Sequence, residues 1–181
     1  NYGTLTLGAG VIGFNLSGNI TLENKRISPV ASNNFGATLD ALMFTSRPET
    51  KWILGANHRI RKFDFSLSNT YFGKTTFKQE GLDSNLRTEF IPKIVTDLGI
   101  NYAATDKLTV TLNANNVLNV VPEWKFKAEN AAGTVILNNP TQVKSQFNLI
   151  TFNGRYSQMT YQGYHFSQLG TLFSLSLIYK F

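Results

Sequence analysis

The fold prediction rests on one segment, Leu169-Gly170-Thr171-Leu172-Phe173-Ser174-Leu175-Ser176-Leu177-Ile178-Tyr179-Lys180-Phe181. Successive side chains of a strand point to opposite faces, so side chains at every second position share a face. The segment therefore predicts a strand with one apolar face and one more polar face. It is long enough to cross a bilayer as a tilted strand, which takes about 9–11 residues. Its apolar face consists of Phe173, Leu175, Leu177, Tyr179 and Phe181.

The same alternation recurs along the chain and predicts an all-β fold. Tight turns at Ile12-Gly13, Arg59–Lys62 and Thr105–Lys107 alternate with connections of about 20 to 45 residues. Short turns at one rim and long loops at the other are typical of a transmembrane antiparallel up-and-down β-barrel, with periplasmic turns and extracellular loops. The predicted strands cover about residues 3–11, 14–23, 52–59, 63–73, 93–104, 108–118 and 169–181.

About seven strands do not close a bacterial single-chain barrel, which has an even number of eight or more. Either further strands lie in residues 120–165, or residues 1–181 are the C-terminal part of a larger barrel. The strand-like start of the sequence, without a signal peptide, favours the larger barrel. Within the long connections, 37–44 is expected to form a short helix or strand extension, and 142–150 a short helix.

Composition agrees with a chain of many short strands and turns. Charged residues make up 15% of the 181 residues, against roughly 25% in soluble domains. There is no cysteine, so disulfides and thiolate metal sites are excluded. The net charge of +6 comes from scattered basic residues, which argues against nucleic-acid binding and suits anionic lipid headgroups.

Aromatic side chains are expected to form two girdles at the membrane interfaces, as in other barrels. The intervening Ser, Thr, Asn, Asp and Gly residues are expected to face a polar lumen. The predicted girdle at the short-turn ends comprises Phe14, Phe63, Tyr102, Tyr179 and Phe181, and the one at the long-loop ends comprises Trp52, Phe72 and Phe90.

Two segments resemble the end of TonB-dependent outer-membrane receptors. The first is Thr96-Asp97-Leu98-Gly99-Ile100-Asn101-Tyr102 followed by Thr105-Asp106-Lys107-Leu108-Thr109-Val110-Thr111-Leu112-Asn113-Ala114-Asn115-Asn116-Val117-Leu118-Asn119. The second is the ending Tyr179-Lys180-Phe181. A final Phe with apolar residues at alternate positions before it also looks like the signal read by the outer-membrane barrel-assembly machinery. That signal would comprise Phe173, Leu175, Leu177, Tyr179 and Phe181.

The resemblance implies active import of a bulky, scarce nutrient (a siderophore, haem, cobalamin, a glycan or a peptide) across the outer membrane of a Gram-negative bacterium. Such receptors have a 22-stranded barrel, of which this chain would supply about the last seven strands. The plug domain and TonB box would lie outside residues 1–181. The implied partners are outer-membrane lipid and lipopolysaccharide, the remaining barrel and plug, the TonB-ExbB-ExbD system, the barrel-assembly machinery and a surface lipoprotein.

No enzymatic chemistry, metal site or cofactor is predicted, because no nucleophile–base spacing or acidic pair occurs. The isolated His58 and His165 are more often ordinary surface residues than ligands. Asn116 and Asn119 are expected to anchor the strand end. The aromatics of the last long connection either contact a ligand or form a small core of their own. The candidate ligand contacts are Trp124, Tyr156, Tyr161 and Tyr164.

Two alternatives to an active importer stay open. A passive porin-like or adhesin barrel would use the same strands around an open channel, and the absence of an upstream plug and TonB box would favour it. A soluble β-sandwich or binding barrel would instead bury the apolar faces in a core. Extraction without detergent distinguishes the soluble alternative from both membrane barrels.

Overall fold

The computed structural model describes residues 2–7, 10–25, 36–152, 154 and 156–181. The described chain is mostly antiparallel β-structure with three short helices. Its elements, in chain order, are β1 (Tyr2–Leu7), β2 (Gly10–Ile20), α1 (Ala37–Phe44), β3 (Thr50–Ile60), β4 (Phe63–Phe72), β5 (Thr75–Phe77), β6 (Leu86–Phe90), β7 (Lys93–Ala103), β8 (Leu108–Asn115), β9 (Trp124–Ala128), α2 (Ala131–Leu137), α3 (Pro140–Ile150), β10 (Thr151–Phe152), β11 (Tyr156–Thr160) and β12 (Leu172–Tyr179).

Seven of these strands form the main sheet, in the order β1-β2-β3-β4-β7-β8-β12. Every neighbouring pair is antiparallel. The seven predicted strands therefore exist and pair as a meander, with the long connections between β2 and β3, β4 and β7, and β8 and β12. Among the described residues, β1 pairs only with β2 and β12 only with β8, so the sheet has two open edges.

The first turn lies earlier than the sequence predicted. The structure pairs Leu7 with Gly10 and Gly3 with Phe14, so Ile12 and Gly13 lie inside β2. The prediction of a turn at Ile12-Gly13 was wrong because the glycine was interpreted as a chain reversal. Residues 8 and 9, which join β1 to β2, lie outside the described residues.

The main sheet has one apolar face and one polar face. Residues directly opposite each other in an antiparallel pair point to the same side. One such row joins Phe14, Ala56, Leu67, Leu98 and Ala114, and the row continues to the last strand. The apolar side chains of this face are Ile12, Phe14, Leu16, Trp52, Leu54, Ala56, Phe63, Phe65, Leu67, Ile94, Leu98, Ile100, Val110, Leu112, Ala114, Phe173, Leu175, Leu177 and Tyr179; the same face also carries Thr50, His58, Asn69 and Thr96.

The polar face carries hydroxyl, amide and charged groups. Thr111 donates to the Asn101 side chain at 2.7 Å across β7 and β8. Arg59 donates to Asp64 at 2.7 Å across β3 and β4. These cross-strand pairs satisfy polar groups within the plane of the face. The polar side chains of this face include Asn15, Ser17, Asn57, Arg59, Asp64, Ser66, Ser68, Asp97, Asn101, Thr109, Thr111, Asn113, Ser174 and Ser176; the same face also carries Val11, Ile53, Phe72, Val95, Leu172 and Ile178.

The apolar face is exposed. Phe173, Leu175 and Leu177 are 72%, 68% and 65% exposed, and Leu16 and Leu54 on strands β2 and β3 are half exposed. The main cluster of buried hydrophobic residues lies instead within the long connections. The main sheet therefore does not use its apolar face as the core of a sandwich within the described chain.

Only some of the aromatic side chains expected in the two girdles lie at the predicted ends of the strands. At the short-turn end, Phe63 stacks on Tyr102 with ring centroids 4.6 Å apart. Two of the three aromatics predicted at the long-loop end do not belong to a girdle there, because Phe72 points to the polar face and Phe90 is completely buried. Phe14 lies opposite Ala56, away from the turn end where it was predicted. At the long-loop end, Trp52 lies opposite Tyr71 on the apolar face.

The three long connections pack together at one end of the main sheet, and we call the assembly of α1, β5, β6, β9, α2, α3, β10 and β11 the loop subdomain. Its strands form a three-stranded sheet in the order β5-β6-β9 and a hairpin of β10 with β11. Among the described residues, none of its strands joins the main sheet, so the described part of 120–165 supplies no further strand of that sheet. Its core comprises Ala41, Phe77, Leu82, Leu86, Phe90, Trp124 and Ile150.

Two predicted helices of the loop subdomain are present. Helix α1 covers the expected residues 37–44, and α3 begins two residues before the expected start. The side chain of Asn139 accepts hydrogen bonds from the backbone N–H groups of Thr141 and Gln142, and Pro140 fixes the first helical residue. The described chain contains no helix both long and apolar enough to cross a membrane.

Ion pairs stabilise the three-stranded sheet. The buried ammonium of Lys78 donates to Glu129 at 3.2 Å and to the carbonyls of Ser84 and Leu86 at 2.5 and 2.6 Å. Burial raises the pKa of Glu129, but hydrogen bonds from Arg87 and Lys78 outweigh it and leave the pKa below its ordinary value. The carboxylate of Glu129 is therefore held in its charged form.

Candidate ligand-binding site

The last long connection folds back over the polar face of the main sheet. The Phe166 ring lies 5.2 Å from the Phe72 ring of β4, and the His165 ring lies 5.6 Å from the Phe90 ring of β6. A cavity of about 250 Å³ separates Phe166 from Asp97 and other polar-face residues. Residues 165–170 therefore lie where the polar face meets the loop subdomain.

Asn116 and Asn119 fix the two ends of this connection. The Asn116 side chain donates to the Val120 carbonyl at 2.6 Å and accepts from the Val120 N–H at 2.9 Å. The Asn119 side chain accepts from the N–H of Thr171, just before β12. Both asparagines adopt left-handed backbone conformations, which Asn tolerates better than most residues. Their predicted role as anchors of the strand end is confirmed.

Beside Phe166 lies a cavity of about 580 Å³, within the usual size range of small-molecule sites. Two of the predicted ligand contacts, Tyr161 and Tyr164, line it and are half exposed. The ring of Phe152 meets the Tyr161 ring edge to face at 4.7 Å. The structure therefore brings together two tyrosines from the predicted set and adds two phenylalanines.

The other two candidates have different environments. Trp124 is 9% exposed and packs against Phe126 and Phe147 in the core of the loop subdomain. This matches the alternative that the loop aromatics form their own core. Trp124 also borders a separate cavity of about 530 Å³. Its indole N–H is buried and has no hydrogen-bond partner among the described residues. The backbone of Tyr156 belongs to β11, and its side chain lies outside the described part of the structure.

His165 is buried in the wall of the 580 Å³ cavity, not on the surface as expected. Its Nε2 lies 3.0 Å from the carbonyl of Ile91, which only accepts, so Nε2 carries the proton and Nδ1 holds a lone pair in the neutral ring. Burial lowers the pKa of His165, more than the Ile91 carbonyl raises it, and the charge of Lys93 lowers it further. The neutral ring is therefore favoured, and its Nδ1 has no partner among the described residues.

Gln168 provides a second unpaired acceptor in the same wall. Its Nε2 donates to the carbonyl of Thr160 at 3.0 Å, which fixes the orientation of the amide group. The remaining oxygen, Oε1, is buried without a partner in the described chain. Buried polar atoms are nearly always paired, so these two unpaired acceptors are exceptions within the described chain.

The second isolated histidine, His58, lies on the apolar face opposite Ile12 and Phe65. No group of three or more His, Cys, Asp or Glu side chains within the described ranges is arranged to hold a metal ion.

Comparison with protein-family models, with curated proteins and with solved structures finds no match to this chain. The features that bear on function are therefore the two faces of the main sheet and the cavities of the loop subdomain.

Proposed function

We propose that this chain forms part of the wall and the extracellular loops of an outer-membrane β-barrel that actively imports a bulky nutrient by TonB-dependent coupling. One observation carries the proposal: the six strands β2, β3, β4, β7, β8 and β12 present one largely exposed apolar face, backed by a polar face. An apolar surface of this extent marks an interaction or membrane surface in a stable protein.

The two open edges support the barrel in the proposal. In hydrocarbon, each unpaired backbone group costs several kcal/mol, so a sheet in a bilayer must close. Strands β1 and β12 each leave one edge unpaired within the described chain. Further strands of the same protein, together with these seven, would close the wall around a polar lumen.

The dimensions of the apolar face suit a bilayer. From Trp52 to Ile60 the face spans about 27 Å along β3, at roughly 3.3–3.4 Å per residue. A tilt of about 40° reduces this to roughly 20 Å along the barrel axis, close to the apolar band of about 25 Å in known barrels. The loop subdomain would then stand at the extracellular mouth and the three short connections in the periplasm.

Each partner that the resemblance implies would contact a different part of the protein. Outer-membrane lipid and lipopolysaccharide would cover the apolar face, and the barrel-assembly machinery would read the alternating residues of β12, with Phe181 beyond them. The TonB-ExbB-ExbD system would act through a plug, and a surface lipoprotein would dock at the loop subdomain.

Membrane extraction tests the barrel. The protein is expected to stay in the membrane fraction after washing with alkaline carbonate and with urea, and to migrate faster on gels before heating than after. Release into the aqueous wash, with no heat-dependent migration, would favour a soluble binding module and overturn the proposal.

Conductance and uptake separate active import from a passive channel. The protein reconstituted in planar bilayers is expected to be closed to ions, and nutrient uptake by cells is expected to require TonB and the proton gradient. A large steady conductance with uptake independent of TonB would identify a porin-like barrel instead.

A further inference from the structure

The segment 165–170 lies over the polar face where that face meets the loop subdomain, and we call this segment the strap. Its first residue, His165, is buried among phenylalanine rings from three parts of the chain. The ring centroids lie 6.1 Å, 5.6 Å and 4.8 Å from that of His165 for Phe72, Phe90 and Phe166. Phe72 belongs to β4 and Phe90 to β6. His165 therefore packs the strap against both the main sheet and the loop subdomain.

The surroundings of His165 suit only the uncharged ring. Its Nε2 proton is donated to the Ile91 carbonyl, and its buried Nδ1 has no hydrogen-bond partner among the described residues. An imidazolium would therefore carry a buried N–H without an acceptor, which is unfavourable until water reaches it. Because Nδ1 is buried, water reaches it only when the strap moves.

The described lysines around His165 add to this cost. The charge of Lys93, at the start of β7, opposes protonation of the ring, although its ammonium also pairs with Glu123 at 2.5 Å. The ammonium of Lys51 lies 5.0 Å from the centroid of the Phe72 ring, which the His165 ring meets edge to face. Both lysines make a further positive charge at this position less favourable.

The carboxylates of the strands around His165 already have partners. The phenols of Tyr161 and Tyr164 line the 580 Å³ cavity beside it. Protonation of His165 therefore gains no ion pair with the described acidic residues of β4, β6 and β7. These acidic residues are Asp64, which pairs with Arg59, Glu89, which pairs with Lys125 and Lys127, and Asp97, which accepts from the N–H of Asn116.

We propose that the strap is released by acid: uptake of a proton from water at His165 Nδ1 frees residues 165–170 from the polar face. The far end of the strap stays fixed, because the N–H of Thr171 donates to Asn119 and its hydroxyl donates to the Asn116 carbonyl. In the proposed barrel, the polar face lines the lumen, so the strap narrows the extracellular mouth at neutral pH and widens it in acid. That consequence rests on the proposed function, whereas release of the strap does not.

The direction of the pH dependence follows from burial. Burial lowers the pKa of His165, so the protein with the strap in place binds fewer protons than the protein with the strap released. The strap is therefore held most firmly above the ordinary histidine pKa of about 6.5 and is held less firmly as the pH falls below it. Between that value and the lower pKa of the buried ring, each pH unit increases the ratio of released to bound strap about tenfold.

Reactivity of a cysteine placed beneath the strap tests the inference in the intact protein in detergent. Val95 is buried on the polar face and lines the 250 Å³ cavity with Phe166, so Val95→Cys places a thiol there. Ser66→Cys, exposed on the same face, corrects for the effect of pH on the reaction with 4,4′-dithiodipyridine. Relative to this control, the rate is expected to rise at least about threefold from about pH 7.5 to about pH 5, which is above the ordinary glutamate pKa. An unchanged rate would overturn the inference.

Variants that cannot take up the proton locate the effect. His165→Gln keeps an N–H donor for the Ile91 carbonyl, and His165→Phe keeps a ring among the phenylalanines. At least one of them is expected to react as slowly as the Val95→Cys protein at about pH 7.5, and neither is expected to react faster in acid. His58→Gln replaces the other histidine and is expected to retain the full response. Three results would overturn the inference: an acid response that persists in either His165 variant, its loss in His58→Gln, or fast reaction of both His165 variants at neutral pH.

Carbonate extraction separates this inference from the proposed function. A protein that carbonate releases from the membrane, but whose Val95→Cys thiol still responds to acid through His165, would refute the barrel and support the strap. A protein that resists carbonate and shows no response through His165 would overturn the strap alone.

Discussion

Substituting arginine at adjacent positions of β12 tests the assignment of the two faces. Leu175 lies on the apolar face opposite Leu112, and Ser174 lies on the polar face opposite Asn113. The two positions share one strand and one depth, so they differ mainly in the face to which they point. Leu175→Arg is expected to destabilise the membrane-inserted protein far more than Ser174→Arg does.

The depth of Leu175 along the apolar face of β12 determines how much Leu175→Arg destabilises the protein. The band on β12 runs from Phe173 to Tyr179, so Leu175 lies about 7 Å along the strand from one end and about 13 Å from the other. Arginine on the lipid face costs about 2–4 kcal/mol at the bilayer midplane and less near the interfaces. We therefore expect Leu175→Arg to lower the free energy of unfolding by about 2–3 kcal/mol.

Substitution of Ser174 removes only one weak hydrogen bond. Its hydroxyl accepts from the Asn113 side chain at 3.5 Å, too long for a strong hydrogen bond. An arginine there would extend from the polar face into water. Ser174→Arg is expected to change the free energy of unfolding by less than about 0.5 kcal/mol.

Urea unfolding in phospholipid vesicles measures both variants. Fluorescence of Trp52 reports the main sheet, and a Trp124→Phe background removes the signal of the loop subdomain. Equal losses for the two arginine variants, or a larger loss for Ser174→Arg, would refute the facing of β12.

Three further predictions concern the loop subdomain. Lys78→Met leaves three backbone carbonyls of the chain from 83 to 86 without their donor and is expected to destabilise the subdomain by about 1–3 kcal/mol, measured by hydrogen exchange of its amides. Phe90→Ala opens a cavity in the core and is expected to lower the stability of the subdomain by about 3–5 kcal/mol. Limited proteolysis of residues 120–165 is expected to be faster, while heat-dependent gel migration stays unchanged. Unchanged proteolysis would contradict the packing. The pKa values of Glu89 and Glu129 lie below the ordinary glutamate value, because the paired lysine and arginine side chains outweigh burial. The two carboxylates therefore stabilise the fold above the ordinary glutamate pKa of about 4.3. This stabilisation is lost as the pH falls through their lower pKa values in the folded protein. The near-ultraviolet circular dichroism of the loop subdomain is expected to weaken on acidification below about pH 4.3, and a signal that weakens on raising the pH would contradict these ion pairs.

The main sheet was predictable because each strand carries its own signal. In β12 and β8 the apolar period of two is unbroken, and the register of Leu175 with Leu112 follows from placing apolar faces together. In the first hairpin the same period continues through Ile12 and Gly13, so periodicity alone did not locate the turn. Local pattern therefore identified the strands better than their ends.

The loop subdomain was not predictable, because its core joins residues far apart in the chain. Phe77, Phe90, Trp124 and Ile150 meet in one cluster although β5, β6 and β9 are only three to five residues long. Such short strands carry too few alternating positions for a periodic signal. Only the helix 142–150 was expected within its later part, where Asn139 and Pro140 supply a local start signal.

The candidate cavity could also be predicted only in part, because some of its contacts join residues far apart in the chain. Tyr161 and Tyr164 were identified from the sequence as accessible loop aromatics, and they line the cavity with Phe152. The acceptor on His165 depends on the carbonyl of Ile91, 74 residues away. Composition and spacing contain no signal for a contact of that kind, so the histidine was expected at the surface.

Contact of the apolar face with lipid is the claim on which the account depends, and quenching by brominated lipid measures it directly. The chain contains no cysteine, so single labels can be placed by substituting cysteine for one residue at a time. Labels on the apolar face are expected to be quenched by lipids brominated along the acyl chain, and labels on the polar face are expected to be quenched instead by a water-soluble agent. Equal quenching of the two sets, or the reverse order, would contradict the account. The matched positions are Leu175 and Ser174 on β12, Leu112 and Asn113 on β8, and Leu67 and Ser66 on β4.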